Sequence, residues 1–192
     1  MADSALTLYS AELFYFWDTP DFPFRRAVEV TATTVARWST HYYVAVVVPR
    51  ADYRGPRKKS GALPPDDEAS RAAFVAGLLR WLFAASDAEA EDLFTLILHT
   101  RPVTSTAVDD AARFAHYDDT CCWTLSLTPD EFARLQDAWR AHDLPEDLFY
   151  PADAETCVPY PGTSWWARLL RRLGGQKCFT PKQWERERAA RD

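Results

Sequence analysis

The sequence has few glycines and no long apolar segment. Its 192 residues include 6 glycines, and neither G-x-x-x-x-G-K nor G-x-G-x-x-G occurs, which argues against the usual phosphate-binding loops. No run approaches the roughly 18 consecutive apolar residues that a membrane-spanning helix needs. The first residues, Met-Ala-Asp-Ser-Ala, lack the basic and apolar regions of a secretory signal. We therefore expect a cytoplasmic protein without a transmembrane segment.

Cysteine is also scarce. The four cysteines are Cys121, Cys122, Cys157 and Cys178. In a protein that is not secreted, reduced thiols are expected. Paired spacings typical of zinc sites, such as C-x-x-C and H-x-x-x-H, do not occur. Apart from His116, the histidines are His41, His99 and His142, and they are scattered along the chain. The sequence therefore predicts no metal site, and no motif indicates a cofactor.

Aromatic residues, in contrast, are abundant. Hydrophobic residues make up 47% of the chain, enough to bury the core of one domain. The chain contains 8 tryptophans, 8 tyrosines and 11 phenylalanines, which is 14% of all residues. Acidic residues outnumber basic ones by 28 to 22, which gives a net charge of -6. The molecule as a whole therefore repels nucleic acids and anionic lipids, and any such binding has to be local.

The hydrophobic patterns predict a single α+β domain over residues 1–192. We expect a mainly antiparallel sheet of about four or five strands packed with three or four helices. Strands are predicted over residues 6–17, 28–34, 42–48 and 122–127. Helices are predicted over residues 70–85, 93–98, 128–141 and 164–173, with a basic tail helix within 176–192. Prolines, glycines and charges over 49–68 predict a mobile loop.

One group of residues has the chemistry of a nucleophilic site. Cys122 follows His116 and Asp118 closely in sequence, so the components of a Cys–His–Asp arrangement are present. No glycine-rich turn or helix N-terminus follows Cys122 to activate its thiol. We therefore favour a structural thiol and no catalytic residue. A thiol-dependent hydrolase or transferase with Cys122 as nucleophile and His116 as base is the alternative.

Two basic segments stand out against the acidic background. Arg54, Arg57, Lys58 and Lys59 lie close together beside Tyr53 and could contact nucleic acid. Four charges in an acidic molecule are few for that purpose, so nucleic acid is not the expected partner.

The second basic segment is the C-terminal one. Residues 165–192 contain eight basic and three acidic side chains, a net charge of +5 that leaves -11 for the first 164 residues. In helix 164–173 the apolar residues Trp165, Trp166, Leu169, Leu170 and Leu173 share one arc. We expect this arc to dock on the protein's own sheet. Contact of this helix with an anionic membrane is a weaker alternative.

The aromatic content and the negative charge together favour a non-catalytic protein-binding function. Aromatic residues that border loops or charged segments are Trp17, Tyr42 or Tyr43, Tyr150, Tyr160 and Trp184. Exposing them is costly unless a partner covers them. The acidic residues predicted to engage a basic protein partner are Asp109, Asp110, Asp118, Asp119, Asp143, Glu146 and Asp147, next to Tyr150 and Tyr160.

In size and acidity the chain is similar to small interaction proteins such as bacterial immunity proteins that neutralise a basic toxin, although no motif is shared. An inhibitor or immunity-type function is therefore the hypothesis. Homo-oligomerisation stays open.

Overall fold

The computed structural model forms two compact units, residues 1–149 and residues 150–192. The prediction of a single domain stays a prediction. The residues described below are 6–12, 23–47, 49–65, 67–86, 94–102, 112–116, 122–145, 149–152, 156–159, 165–172, 176–179 and 186.

The first unit is built on an antiparallel sheet. Its strands are β1 (Thr7–Glu12), β2 (His41–Val46), β3 (Lys58–Ala62), β4 (Phe94–His99), β5 (Ala112–His116) and β6 (Cys122–Leu127). The order of these six strands is β3-β2-β4-β5-β6-β1. A two-residue strand, β7 (Tyr150–Pro151), lies in the second unit. The α+β class is confirmed, and the six strands of the first unit's sheet exceed the predicted four or five.

Three helices of the first unit pack against this sheet: α1 (Phe24–Ala36), α2 (Glu68–Ala85) and α3 (Pro129–Arg140). Helix α1 contacts both other helices and lies against β4 and β5. The strands contribute Val44, Leu96, Phe114 and Trp123 to the common core, and all four are fully buried. On the opposite side of the sheet a smaller cluster contains Ile97 and Ala115.

Two sequence predictions are wrong in the type of element. Residues 28–34 were predicted as a strand but lie within α1. Buried residues recur along α1 at every third or fourth position, and the burial of that face outweighs the strand preference of valine and threonine. Residues 93–98 were predicted as a helix, whereas Phe94–His99 forms β4, which is buried on both faces.

Two strands, β3 and β5, also differ from the sequence predictions. Lys58–Ala62 forms β3 inside the predicted loop, because it pairs with β2. Strand β5 was not predicted. The predictions for β2 and β6 are confirmed, as are helices α2 and α3.

Helix α3 begins with the predicted capping box. The Thr128 hydroxyl accepts a hydrogen bond from the Glu131 N–H at 3.3 Å, and the Glu131 carboxylate accepts one from the Thr128 N–H at 2.8 Å. The same carboxylate accepts a hydrogen bond from Arg113 at 2.5 Å. Both side chains are largely buried, with 10% of Arg113 and 17% of Glu131 exposed.

A β-bulge positions Arg113 for this contact. Phe114 pairs with Leu98 and Ala112 pairs with His99, so Arg113 is an extra residue in β5. Its guanidinium also donates to the Ser126 carbonyl at 3.1 Å. Arg113 thereby joins β5, the end of β6 and the first turn of α3.

Substitution of Glu131 tests the contribution of this network. We expect Glu131→Ala to lower the free energy of unfolding by about 3–5 kcal/mol, because it leaves the Arg113 charge buried without its partner. Glu131→Gln keeps an acceptor for Thr128 and should lower the free energy of unfolding by less than Glu131→Ala does. The exposed neighbour Asp130 provides a control, and Asp130→Ala should cost less than about 1 kcal/mol. Urea unfolding measures all three, and equal losses for Glu131→Ala and Asp130→Ala would contradict this assignment.

Helix α2 begins with an acidic cap. The Asp67 carboxylate accepts hydrogen bonds from the Ser70 N–H at 2.6 Å and the Ser70 hydroxyl at 3.0 Å. These bonds, the backbone one first, hold the pKa of Asp67 below its ordinary value of 3.8. The ionised form is therefore favoured in the folded state.

This cap predicts a dependence of stability on pH. The pKa of Asp67 is lower in the folded state than in the unfolded state. The stabilisation that ionised Asp67 gives is therefore complete above pH 3.8 and is lost as the pH falls through the pKa of the folded state. Asp67→Ser keeps a capping oxygen that does not titrate. We expect the stability difference between wild type and Asp67→Ser, measured by urea unfolding, to change across that acidic range. A difference that stays constant with pH would exclude this linkage.

The second unit contains a two-stranded antiparallel sheet and a short helix. Besides β7, its described elements are β8 (Thr156–Pro159), α4 (Trp165–Arg172) and β9 (Gln176–Phe179). The helix matches the prediction for residues 164–173 to within one residue at each end. Because residues 176–179 are a strand, the predicted tail helix does not begin at residue 176.

Candidate functional site

One face of α4 exposes apolar and basic side chains together. Trp165 is 59% exposed and Leu169 is 37% exposed. Arg168 and Arg172 are also exposed. These four residues follow the spacing i, i+3, i+4 and i+7 and so share one side of the helix. We call this surface the α4 face.

The α4 face bears on the predicted inward arc of this helix. The arc was predicted to consist of Trp165, Trp166, Leu169, Leu170 and Leu173, docked on the protein's own sheet. Trp165 and Leu169 are exposed beside arginines of the same helix, and the other three side chains lie outside the described part of the chain. The signal available in the sequence was the spacing of Trp165, Arg168, Leu169 and Arg172, because a helical face can combine apolar and basic residues.

A cleft in the first unit forms a second candidate site. It has a volume of about 250 Å³ and lies where α1, α2 and α3 meet. Its lining residues are Thr34, Arg37, Trp38, Glu68, Arg134, Asp137 and Ala138. We call it the helical cleft. The end of α1 contributes Thr34, Arg37 and Trp38, and the middle of α3 contributes Arg134, Asp137 and Ala138. Both sets have the spacing i, i+3 and i+4, which places each on one face of its helix.

The walls of the helical cleft are fixed by specific hydrogen bonds. The guanidinium of Arg71 in α2 donates twice to the Arg37 carbonyl at the end of α1, at 3.2 and 2.7 Å. The Trp139 indole in α3 donates to the Thr31 hydroxyl in α1 at 3.1 Å. The cleft is therefore formed by elements that are already held in place.

The helical cleft contains charges of both signs. Asp137 is paired with Arg140 at 2.7 Å. Within the described residues, no ion pair joins the side chains of Arg37, Arg134 or Glu68 to another group. Arginine donors next to the half-buried Trp38 suit a carboxylate carried on an apolar group. The volume fits one such side chain rather than a larger ligand.

The basic loop, residues 49–57, is held to α2. The Arg50 N–H donates to the Ala85 carbonyl at 2.9 Å. The Tyr53 hydroxyl accepts a bond from the Trp81 indole at 3.0 Å and donates to the Pro56 carbonyl at 2.9 Å. A Cβ atom at Gly55 would overlap that same hydroxyl, so a larger residue there would displace the Tyr53 side chain.

The predicted nucleic-acid contacts are partly engaged within the chain. Lys59 lies 3.9 Å from the Trp81 ring centroid, a cation–π distance. Arg54 donates to the Ala51 carbonyl at 3.1 Å. Arg57 and Lys58 are exposed. These intramolecular contacts occupy part of the charge that binding to phosphates would need.

Removing the Tyr53 hydroxyl should loosen the basic loop. We expect Tyr53→Phe to speed tryptic cleavage after Arg54 and Arg57, because both hydrogen bonds of the hydroxyl are lost. Gly55→Ala should have the same effect through its overlap with Tyr53. Tyr43→Phe, in the neighbouring strand β2, is the matched control. Cleavage rates that are equal in all four proteins would show that Tyr53 does not anchor the loop.

His116 lies in an aromatic part of the core. It is fully buried, and its ring is 4.5 Å from the Phe94 centroid and 6.0 Å from those of Phe24 and Trp123. In the β5–β6 register His116 is opposite Trp123, whereas Cys122 is opposite Glu12 of β1. A base must reach the proton it removes, and burial separates His116 from solvent. The roles predicted for Cys122 and His116 stay predictions, and Asp118 lies outside the described residues.

Most of the predicted partner-binding residues also lie outside the described residues, namely Asp109, Asp110, Asp118, Asp119, Glu146, Asp147 and Tyr160. Asp143 is exposed and has a φ of 55°, a left-handed conformation in the turn that follows α3. Tyr150 is half-buried in β7. The predicted acidic partner-binding surface therefore stays a prediction.

Among the aromatic residues predicted near loops, Tyr42 packs against Phe74 at 5.3 Å between ring centroids. Tyr43 is half-buried beside the smaller cluster. Trp17 and Trp184 are outside the described part of the chain.

The described residues contain no group of three or more His, Cys, Asp and Glu side chains that could hold a metal ion. None of the helices they form is long and apolar enough to cross a membrane.

Comparison with known proteins gives no relative. No family model, no curated protein and no solved structure matches the chain.

Proposed function

We propose that this chain is a non-catalytic protein-binding protein of the inhibitor or immunity type. The observation that carries the proposal is the exposure of Trp165 and Leu169 on the α4 face. Tryptophan is enriched among residues that dominate binding energy at protein interfaces. An exposed tryptophan beside an exposed leucine therefore suits the aromatic anchor of an interface.

The distribution of charge indicates what the partner presents. Residues 150–192 contain eight basic and five acidic side chains, a net charge of +3, so residues 1–149 carry -9. A basic protein partner would be attracted to the first unit from a distance. Near the α4 face, Arg168 and Arg172 favour acidic groups on the partner. The expected partner is thus basic overall, with local acidic groups beside the apolar surface that meets Trp165.

The helical cleft supports the same function. It is preformed, and its volume of about 250 Å³ admits one side chain of a partner, for which the lining residues Arg37 and Arg134 supply donors to a carboxylate. Preformed sites lose less conformational entropy on binding. The cleft therefore offers a second contact point that does not depend on the α4 face.

The two alternative functions have less support. A thiol enzyme would need His116 to act as a base from within the core. A nucleic-acid contact would depend on Arg57 and Lys58, since Arg54 and Lys59 already have contacts within the chain.

The proposal is tested by capturing partners with the full chain and with a face variant. We expect a specific protein to be enriched from host lysate by wild type and lost with Trp165→Ser plus Leu169→Ser, because that variant removes the apolar anchor. Leu8→Ser replaces another exposed leucine, 51% exposed in β1, and should retain the partner. Quantitative mass spectrometry measures the enrichment.

The role of charge is tested by the association rate of the purified chain with its captured partner. The association rate should fall as salt rises, because screening shortens the range of attraction to about 8 Å at physiological ionic strength. An association rate that does not change with salt would remove the basic partner from the proposal. Capture that is equal for wild type and the face variant would remove the α4 face.

A further inference from the structure

Two of the four cysteines lie directly opposite each other in the second unit. In the antiparallel β8–β9 pair, the register partner of Cys157 is Cys178, with Thr156 opposite Phe179 and Val158 opposite Lys177. We propose that Cys157 and Cys178 form a reversible disulfide bond that closes the second unit. The sequence separation of the two cysteines gave no sign of this pairing, since it depends on the strand register.

The position of Pro159 identifies the type of cross-strand pair. Pro159 is opposite Gln176 and has no N–H, so this pair cannot exchange two backbone hydrogen bonds. Pair types alternate along an antiparallel ladder, and Cys157–Cys178 lies two positions away. It is therefore also a non-hydrogen-bonded pair, in which the Cα atoms are about 4.5 Å apart. That separation lies within the range of about 4.4–6.8 Å found in disulfides.

The second unit is small, and a disulfide bond would stabilise it. Residues 150–192 are 43 residues that contain one two-stranded sheet. Isolated two-stranded sheets are marginally stable, and chains near this length commonly need disulfides, metals or association. The closed loop from Cys157 to Cys178 contains the whole of α4. Oxidation therefore restricts the segment that carries the α4 face.

The reaction needs an oxidant, and a small-molecule disulfide such as oxidised glutathione supplies it. The thiolate of one cysteine attacks a sulfur of glutathione disulfide and releases one glutathione thiolate. The thiolate of the other cysteine then attacks the protein sulfur of the mixed disulfide and releases the second glutathione. Two protein thiols become one disulfide, and the oxidant becomes two thiols. A dithiol reductant reverses the exchange, which agrees with reduced thiols in a reducing compartment.

Thiol counting and peptide mapping on the full chain test the bond. Equilibrated in oxidised glutathione, denatured and alkylated with N-ethylmaleimide, wild type should take up two labels instead of four. A tryptic peptide containing Cys157 should be joined to one containing Cys178. Cys121→Ser plus Cys122→Ser is the matched control and should lose both of its thiols to the same cross-link. Cys157→Ser and Cys178→Ser should instead trap a mixed disulfide with glutathione.

Amide hydrogen exchange measures the structural effect. Exchange over residues 165–172 should be slower in oxidised than in reduced wild type, and the oxidant should have no such effect on Cys178→Ser. Four labels after oxidation, or a cross-link between other cysteines or between two chains, would overturn the proposal. None of these readouts requires a partner protein, so they are independent of the proposed function.

Discussion

Helix α1 buries one face against the centre of the sheet, and the other helices of the first unit are positioned by that contact. Its buried face combines alanines with Val28 and Val35, small and branched side chains that allow a close approach to β4 and β5. Helices α2 and α3 then pack on either flank of α1. Hydrogen bonds hold both flanks: Arg71 donates twice to the Arg37 carbonyl, and Trp139 donates to Thr31. The geometry of the helical cleft follows from these contacts.

Elements with strong local signals could be predicted from the sequence. Helix α3 is the clearest case, because Thr128, Pro129 and Glu131 specify its start independently of the rest of the fold. Strand β6 was predictable because Trp123, Leu125 and Leu127 alternate with polar residues.

Elements defined by tertiary contacts could not be predicted in this way. Helix α1 contains several β-branched residues, and its helical state depends on burying a face that the sheet provides. Strand β5 contains Arg113 and His116, which are buried because α3 and the aromatic core surround them. No local pattern marks such residues as part of a strand.

The candidate sites also depend on tertiary contacts more than on the local sequence. Composition indicated that some aromatic residues lie at the surface, but the position of Trp165 depends on which face of α4 is covered. The helical cleft joins residues from position 34 to position 138, so only the packing of three helices brings them together. The pairing of Cys157 with Cys178 likewise depends on the β8–β9 register.

Strand β3 has a consequence for how copies of the protein meet one another. Among the described strands it lies at an end of the order and is largely exposed, so no described strand pairs with its outer edge. Lys58 and Lys59 occupy this edge, and Pro64 and Pro65 follow it closely. Another β3 strand aligned here in parallel would bring lysines together, and prolines cannot extend the ladder. Lysines and prolines at a sheet edge disfavour pairing between copies of a protein.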